Sequence, residues 1–137
     1  MAESPCILSR APTQLPDPAP ELARRFSRLT LGNVDLGFAG RFAPANSVHR
    51  AIAKLTATDV LQLRQERKRW ELVDEKGRTV GRLASAFCTP PGLRCIAASV
   101  GAIVMRRRED AEPEYRDLLR CERWEVVVPK LVFGPLP

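Results

Sequence analysis

The stretch that decides the fold is residues 59–87, DVLQLRQERKRWELVDEKGRTVGRLASAF. Three short apolar runs lie within it, at residues 60–63, 70–73 and 79–83. A charged segment separates the first two runs, and the turn sequence Asp74-Glu75-Lys76-Gly77 separates the last two. Runs of this length, bounded by polar and glycine-containing turns, are typical of antiparallel strands. The stretch therefore predicts a three-strand meander.

Downstream of the meander the sequence offers two more strands. Residues 93–105 are almost wholly apolar, and Gly101 within them indicates a bend or a bulge. Residues 106–113 are charged and predict a loop. Residues 124–128 predict a final strand, which we expect Pro129 to stop because proline cannot donate to a ladder.

Upstream of the meander the pattern is less regular. Apolar residues alternate with polar ones from Leu29 to Phe38, which predicts a strand with a bulge or tight turn at Gly32-Asn33. Residues 48–55 fit either a helix or a strand. Single helical turns are candidates in three further places, namely residues 21–26, 84–87 and 114–119.

Together these segments predict a mostly β fold, a small barrel-like sheet of five to seven short strands with one or two short helices. An α+β arrangement is the alternative. Five prolines within residues 1–20 predict a tail or linker, and residues 21–137 then form a single domain.

The charge balance favours an anionic partner. The chain has 137 residues, a net charge of +6 and a sequence pI of about 9.7. Nucleic acid is the first candidate for such a chain, and a solubility role for the charge is the alternative. Eighteen of the 22 basic residues are arginine, whose planar fork grips phosphate, although a GC-rich genome produces the same bias.

Motifs of self-sufficient enzymes are absent from the sequence. It contains neither the phosphate-binding GxxxxGK[ST] loop nor a GxSxG nucleophile elbow. The single histidine, His49, favours a structural hydrogen bond over catalysis. We therefore expect no enzyme, no ATPase activity, no cofactor and no small-molecule substrate. The carboxylates of residues 109–114 indicate a solvated loop more than a metal or acid–base site.

The cysteine pattern predicts free thiols. Four cysteines occur without any CxxC pair, so no zinc site is expected, and the positions are Cys6, Cys88, Cys95 and Cys121. No apolar stretch resembles a signal peptide or a membrane span. These features predict a cytoplasmic protein with reduced thiols.

A family resemblance adds to this pattern. The motifs that carry it are GFAGRF at residues 37–42, WELVD at 70–74, VGRLA at 80–84, RRED at 107–110, EPEY at 112–115 and LRCERWEVVVP at 119–129. Over about 100 residues, the chain resembles the C-terminal region that follows the motor in some bacterial RecQ-family DNA helicases. The meander with VGRL also resembles small barrels of the HIRAN type, which accompany helicase and remodelling motors.

The resemblance implies a nucleic-acid-binding accessory domain without motor activity. The implied partner is DNA, with single strands favoured, and a helicase motor domain is a further partner. A protein–protein docking module is the alternative function. The predicted phosphate-contacting residues are Arg41, Arg69, Arg82, Arg106, Arg107 and Arg108. We expect Trp70 and Trp124 to be buried strand anchors more than base-stacking platforms.

Overall fold

A computed structural model describes residues 25–135, so the predicted proline-rich tail, residues 1–20, lies outside the described residues. One antiparallel sheet runs through the described residues, with its six strands in the spatial order β1-β6-β5-β2-β3-β4. The sheet curls into a half-barrel, which confirms the predicted mostly β, barrel-like fold. The strands are β1 (Arg25–Arg28), β2 (Val60–Glu66), β3 (Arg69–Val73), β4 (Thr79–Arg82), β5 (Leu93–Arg107) and β6 (Arg123–Pro135).

The predicted meander is confirmed as β2, β3 and β4. Strands β2 and β3 pair from Gln62↔Val73 to Glu66↔Arg69, leaving a two-residue loop. After β3, the buried Asp74 side chain closes the next turn by accepting hydrogen bonds from the backbone N–H groups of Lys76 and Arg78, both at 2.9 Å. A side-chain acceptor of this kind stabilises a tight turn through contacts within a few residues. Because the stabilising residues are neighbours in the chain, the sequence predicts the turn.

Strands β5 and β6 are long and form the spine of the sheet. The predicted bulge at Gly101 is confirmed, because the register shifts between Val100 and Ala102. The prediction that Pro129 ends the last strand is wrong, since β6 continues to Pro135. The carbonyl of Pro129 accepts a hydrogen bond from the N–H of Leu29, just past the end of β1. The nitrogen of Pro129 faces the same side of β6, where the ladder with β1 has already stopped. The absence of an N–H on proline therefore removes no hydrogen bond from that ladder.

The segment before the meander is mostly turns, so the predicted strand from Leu29 to Phe38 is wrong. It contains the 3-10 turns Leu31–Asn33 and Ala39–Arg41, with a single bridge between Val34 and Leu83. Residues in these turns also bury apolar side chains in the core, at a spacing close to every second residue. The sequence pattern is therefore the same as that of a strand. The expected turn at Gly32-Asn33 is present.

Helical structure in the described residues is short. The open choice at residues 48–55 is resolved as helix α1 (Ser47–Ala53), which begins with the Asn46 side chain accepting from the Val48 N–H at 2.9 Å. Helix α1 contacts both β4 and β6. A 3-10 turn occupies Pro113–Leu118 where one helical turn was expected, residues 84–87 are not helical, and the described end of the candidate helix at 21–26 belongs to β1.

The core lies inside the curl, where Phe133, Leu131, Leu72 and Leu83 are fully buried. Within residues 25–135, no helix has the length and apolar character needed to cross a bilayer. The prediction of four free thiols is wrong for Cys88, which is disulfide-bonded. The other described cysteines, Cys95 and Cys121, are free.

Candidate nucleic-acid interface

Asp35 lies at the centre of a group of arginines. Its Oδ2 accepts hydrogen bonds from Arg82 Nε at 3.0 Å, from Arg82 Nη2 at 2.8 Å and from Arg41 Nη2. The Nη2 of Arg69 lies 3.5 Å from the same oxygen. We call these four residues, Asp35, Arg41, Arg69 and Arg82, the Asp35 cluster. It joins three of the six arginines predicted as phosphate contacts, from positions far apart in the chain.

Backbone pairing explains how the Asp35 cluster forms. The bridge from Val34 to Leu83 lays the segment beside the end of β4, and the Asp35 N–H donates to the Arg82 carbonyl at 2.8 Å. Arg69 opens β3, the strand next to β4 in the sheet. Arg41 comes from the 3-10 turn that follows Asp35 by one short loop. The sheet therefore fixes two arginines and the turn supplies the third.

The arginine side chains of the cluster are held in place. Arg69 Nη2 also donates to the Leu83 carbonyl at 3.1 Å, and the Arg82 guanidinium lies 5.9 Å from the centre of the Phe38 ring. A cation over an aromatic face at this distance gains a modest attraction. These contacts orient the guanidiniums before any ligand arrives, which lowers the entropy cost of binding.

The Asp35 cluster carries an excess of positive charge. Burial raises the pKa of Asp35, but hydrogen bonds and charge from Arg41 and Arg82 outweigh it and hold that pKa below its ordinary value. Three guanidiniums against one carboxylate leave a net charge of +2. Burial and the charge of Arg82 lower the pKa of Arg69, whose Nε has no hydrogen-bond partner among the described residues. The arginine side chains are 28–33% exposed, so an anion in solvent can approach them.

A cavity of about 300 Å³ adjoins the cluster and shares Asp35 and Arg41 with it. We call it the Trp124 pocket. Its interior is mostly apolar, and its charged groups are the side chains of Asp35, Arg41, Arg106 and Glu112. It is lined by Asp35, Leu36, Gly37, Arg41, Arg106, Ala111, Glu112, Tyr115, Leu118, Leu119 and Trp124. Apolar cavities with a few convergent polar groups are the usual form of ligand sites, and this volume is at the small end of their range.

Trp124 forms a rigid wall of the pocket. It is 3% exposed, and its Nε1–H donates to the Leu36 carbonyl at 2.8 Å. A Cβ at Gly40 would lie 2.7 Å from two indole carbons, so only glycine lets the ring lie on this backbone. The prediction that Trp124 is a buried anchor is confirmed. Trp70 is half-buried and packs at the edge of the core.

The outer rim of the pocket comes from residues 108–119. Arg108 donates to the carbonyls of Arg116 and Leu119, both at 2.9 Å, and Arg116 donates to the carbonyls of Ala111 and Glu109, both at 3.1 Å. These arginines therefore fasten the chain to itself. The rim presents Tyr115 and Leu118, which are 56% and 58% exposed, toward solvent.

The structure separates the three consecutive arginines that were predicted to act together. The prediction of a loop at residues 106–113 is wrong for Arg106 and Arg107, because β5 extends through Arg107. Successive strand residues point to opposite faces. Arg106 pairs with Trp124 and lines the pocket, whereas Arg107 pairs with Arg123 away from it. Arg108 is bound to backbone carbonyls, so it has a scaffolding role.

Sequence reasoning missed Asp35 and Tyr115. A usable signal existed for Asp35, which is the only carboxylate between residues 28 and 59 and sits within an apolar alternation. For Tyr115 the sequence signal was weak, because a single aromatic residue in a charged segment has no periodicity to place it.

His49 and Cys121 have structural roles between α1 and the core. The Nε2 of His49 lies 3.3 Å from the Phe42 carbonyl and 3.5 Å from the buried Cys121 Sγ, so the imidazole ties α1 to the core. Burial raises the pKa of Cys121, which keeps it a thiol. Among the described residues no group of three or more His, Cys, Asp and Glu side chains is placed to hold a metal ion.

Compared with protein-family models, curated proteins and solved structures, the chain has no match. The resemblance to the RecQ C-terminal region and to HIRAN barrels therefore stays a prediction.

Proposed function

We propose that this chain is a nucleic-acid-binding accessory domain that contacts the phosphates of single-stranded DNA with Arg41, Arg69, Arg82 and Arg106. The observation that carries the proposal is the net charge of +2 in the Asp35 cluster, with the side chain of Arg106 beside it in the adjoining pocket. Partly exposed guanidiniums in excess of their carboxylate attract phosphate, and the arginine fork binds it bidentately.

The Trp124 pocket supports a preference for single strands. Its volume of about 300 Å³ suits one planar ring system, and Tyr115 at its rim is an exposed aromatic face. A base of a single strand can leave its stack at little cost, whereas a duplex must first break a pair. Phosphates on the cluster and one base at the pocket would therefore favour single-stranded over double-stranded DNA.

The resemblance to helicase C-terminal regions gives the proposal its context. An accessory domain would hold a strand for a separate motor, on which it would also dock, and would not itself hydrolyse ATP. A cytoplasmic location is part of the same proposal. The cytoplasmic location rests on the expectation of reduced thiols, and the disulfide of Cys88 argues against that expectation.

Fluorescence anisotropy with a labelled single-stranded oligonucleotide tests the proposal. Four arginines less one aspartate give about three neutralised phosphates, so the slope of log K against log salt is expected to be about −2. Affinity then falls about 20-fold between 50 and 200 mM salt. A duplex of the same sequence should compete weakly. Absence of binding by the folded chain at 50 mM salt would refute the proposal and favour the protein-docking alternative.

A further inference from the structure

Two of the residues that line the Trp124 pocket carry a carboxylate, Asp35 and Glu112. The Asp35 carboxylate already accepts hydrogen bonds from two arginines of the Asp35 cluster. The Glu112 carboxylate, in contrast, has no hydrogen bond and no ion pair with any group of residues 25–135. Glu112 is therefore the carboxylate that remains available to a ligand in the pocket.

The guanidinium of Arg106 lines the same pocket but does not neutralise Glu112. Its Nη2 donates to the Asp110 carbonyl at 3.2 Å, and within the described part of the chain it forms no ion pair with Glu112. Glu112 is exposed, so water solvates its carboxylate in the free chain. A ligand that displaces this water must supply hydrogen-bond donors in its place, because an unpaired carboxylate is costly. The pocket therefore favours a ligand that presents N–H groups to Glu112.

The backbone holds Glu112 beside the aromatic rim of the pocket. The Tyr115 N–H donates to the Glu112 carbonyl at 2.9 Å. Arg108 and Arg116 fasten the same segment through the backbone carbonyls already described. The carboxylate and the exposed Tyr115 ring therefore belong to one rim, whose backbone is fixed before a ligand arrives. A planar ring that lies against Tyr115 can direct its polar edge to Glu112.

We propose that the Trp124 pocket selects guanine in the bound strand, with the Glu112 carboxylate accepting hydrogen bonds from the N1–H and the 2-amino group of the base. This inference rests on the proposed binding of single-stranded DNA. An ionised carboxylate offers two acceptor oxygens side by side and no donor. Guanine is the DNA base whose pairing edge presents two adjacent N–H donors. Hydrogen bonds to an ionised acceptor are of the stronger, charge-assisted kind.

The other bases fit the Glu112 carboxylate less well. Adenine and cytosine place one amino group beside a ring nitrogen, so one carboxylate oxygen gains a hydrogen bond and the other faces a lone pair. Thymine places its single N–H between two carbonyl oxygens, which repel the carboxylate. The expected order of affinity is guanine first, adenine and cytosine next, and thymine last. In a duplex the pairing edge of guanine is occupied by its partner base, so this contact requires a single strand.

Oligothymidylates with one central substitution test the proposal by fluorescence anisotropy with the full chain at about 50 mM salt. The central base is thymine, adenine, cytosine, guanine or hypoxanthine, which is guanine without its amino group. We expect the guanine oligonucleotide to bind about tenfold more tightly than the thymine one, and hypoxanthine to lose about threefold or more of that gain. Equal binding of the guanine and thymine oligonucleotides would overturn the guanine proposal and leave the phosphate contacts standing. Absence of binding by every member would refute the proposed function itself.

Glu112→Gln tests whether the carboxylate makes the selection. The amide keeps one acceptor and adds a donor, so the preference for guanine over thymine should fall below about threefold while the thymine oligonucleotide binds at least as well as before. Glu114→Gln removes the same charge from an exposed side chain outside the pocket and should keep the preference. A folded Glu112→Gln chain that keeps the full preference would overturn the proposal. Free deoxyguanosine monophosphate that competes as tightly as the guanine oligonucleotide would also overturn it, by showing a site for the free nucleotide.

Discussion

Asp35 is the residue on which the candidate interface depends. It holds the side chains of Arg41 and Arg82 by direct hydrogen bonds and lies near that of Arg69, while neutralising only one of the three charges. Its two effects are opposed. The carboxylate stabilises the folded chain by pairing with the arginines, and it weakens the attraction of the same arginines for phosphate.

Replacing Asp35→Asn should separate these two effects. Loss of the carboxylate leaves three partly buried guanidiniums repelling one another, so the free energy of unfolding should fall by about 1–3 kcal/mol in urea titrations. Affinity for single-stranded DNA at low salt should rise, and the salt slope should steepen by about 0.7. Asp117→Asn, an exposed change of the same charge, is the control. A variant that remains folded but binds DNA more weakly than the wild type would contradict this account.

Asp74 gives a second prediction at the residue scale. Burial raises its pKa, but hydrogen bonds from Arg78 and Lys76 lower it more, so the folded-state pKa lies below the ordinary value. A depressed pKa contributes stability that is full above the unfolded pKa, about 4, and is lost as the pH falls through the folded value. Asp74→Asn should therefore destabilise the chain at pH 7 and flatten the acid limb of its stability profile. An unchanged acid limb measured by urea unfolding from pH 7 to pH 2 would count against this role.

The residues of the interface differ in how far the sequence revealed them. The sequence predicts Arg41, Arg69 and Arg82 as phosphate contacts, and the structure brings them together around one carboxylate. Asp35, the residue that joins them, was hidden, because its partners are set by the bridge between Val34 and Leu83 and by no local pattern.

At the scale of elements, the parts defined by local chemistry were predictable. The meander has turn residues and apolar runs that specify each strand. The segment 29–59 was harder, because its turns bury apolar side chains at intervals that imitate a strand. The continuation of β6 past Pro129 depends on where its neighbour β1 ends, which is a property of the sheet and not of the strand.

The β2–β3 hairpin carries a testable strain. Its loop residues Arg67 and Lys68 have φ values of 51° and 67°, a left-handed conformation that glycine and asparagine adopt more readily. The double change Arg67→Asn and Lys68→Gly should raise the free energy of unfolding by about 1 kcal/mol, because Asn-Gly suits this turn. It should leave DNA binding within about twofold of the wild type after correction for the two lost charges. A much larger loss would move the interface from the Asp35 cluster to the hairpin tip.

At the scale of the whole molecule, curvature creates the candidate interface. The curl carries β4 toward β6, and helix α1 spans the two. The paired strands β5 and β6 bring Arg106 beside Trp124, next to the cluster. The order of the elements along the chain does not predict this arrangement. Side chains alternate between the two faces of β5, and this alternation decides that Arg106, and not Arg107, lines the pocket. Composition predicted a basic protein with a net charge of +6, but not the surface on which the charge acts.

The neighbouring residues Arg106 and Arg107 provide the most direct test of this interface. They carry equal charge, but Arg106 lines the Trp124 pocket and Arg107 points to the opposite face of β5. The measurement is the affinity of Arg106→Gln and Arg107→Gln for a labelled single-stranded oligonucleotide across a salt series. The account predicts that Arg106→Gln binds about tenfold more weakly at 50 mM salt with a slope shallower by about 0.7, while Arg107→Gln stays within about twofold of the wild type. Equal losses in both folded variants would show that net charge alone attracts DNA and would contradict a defined site.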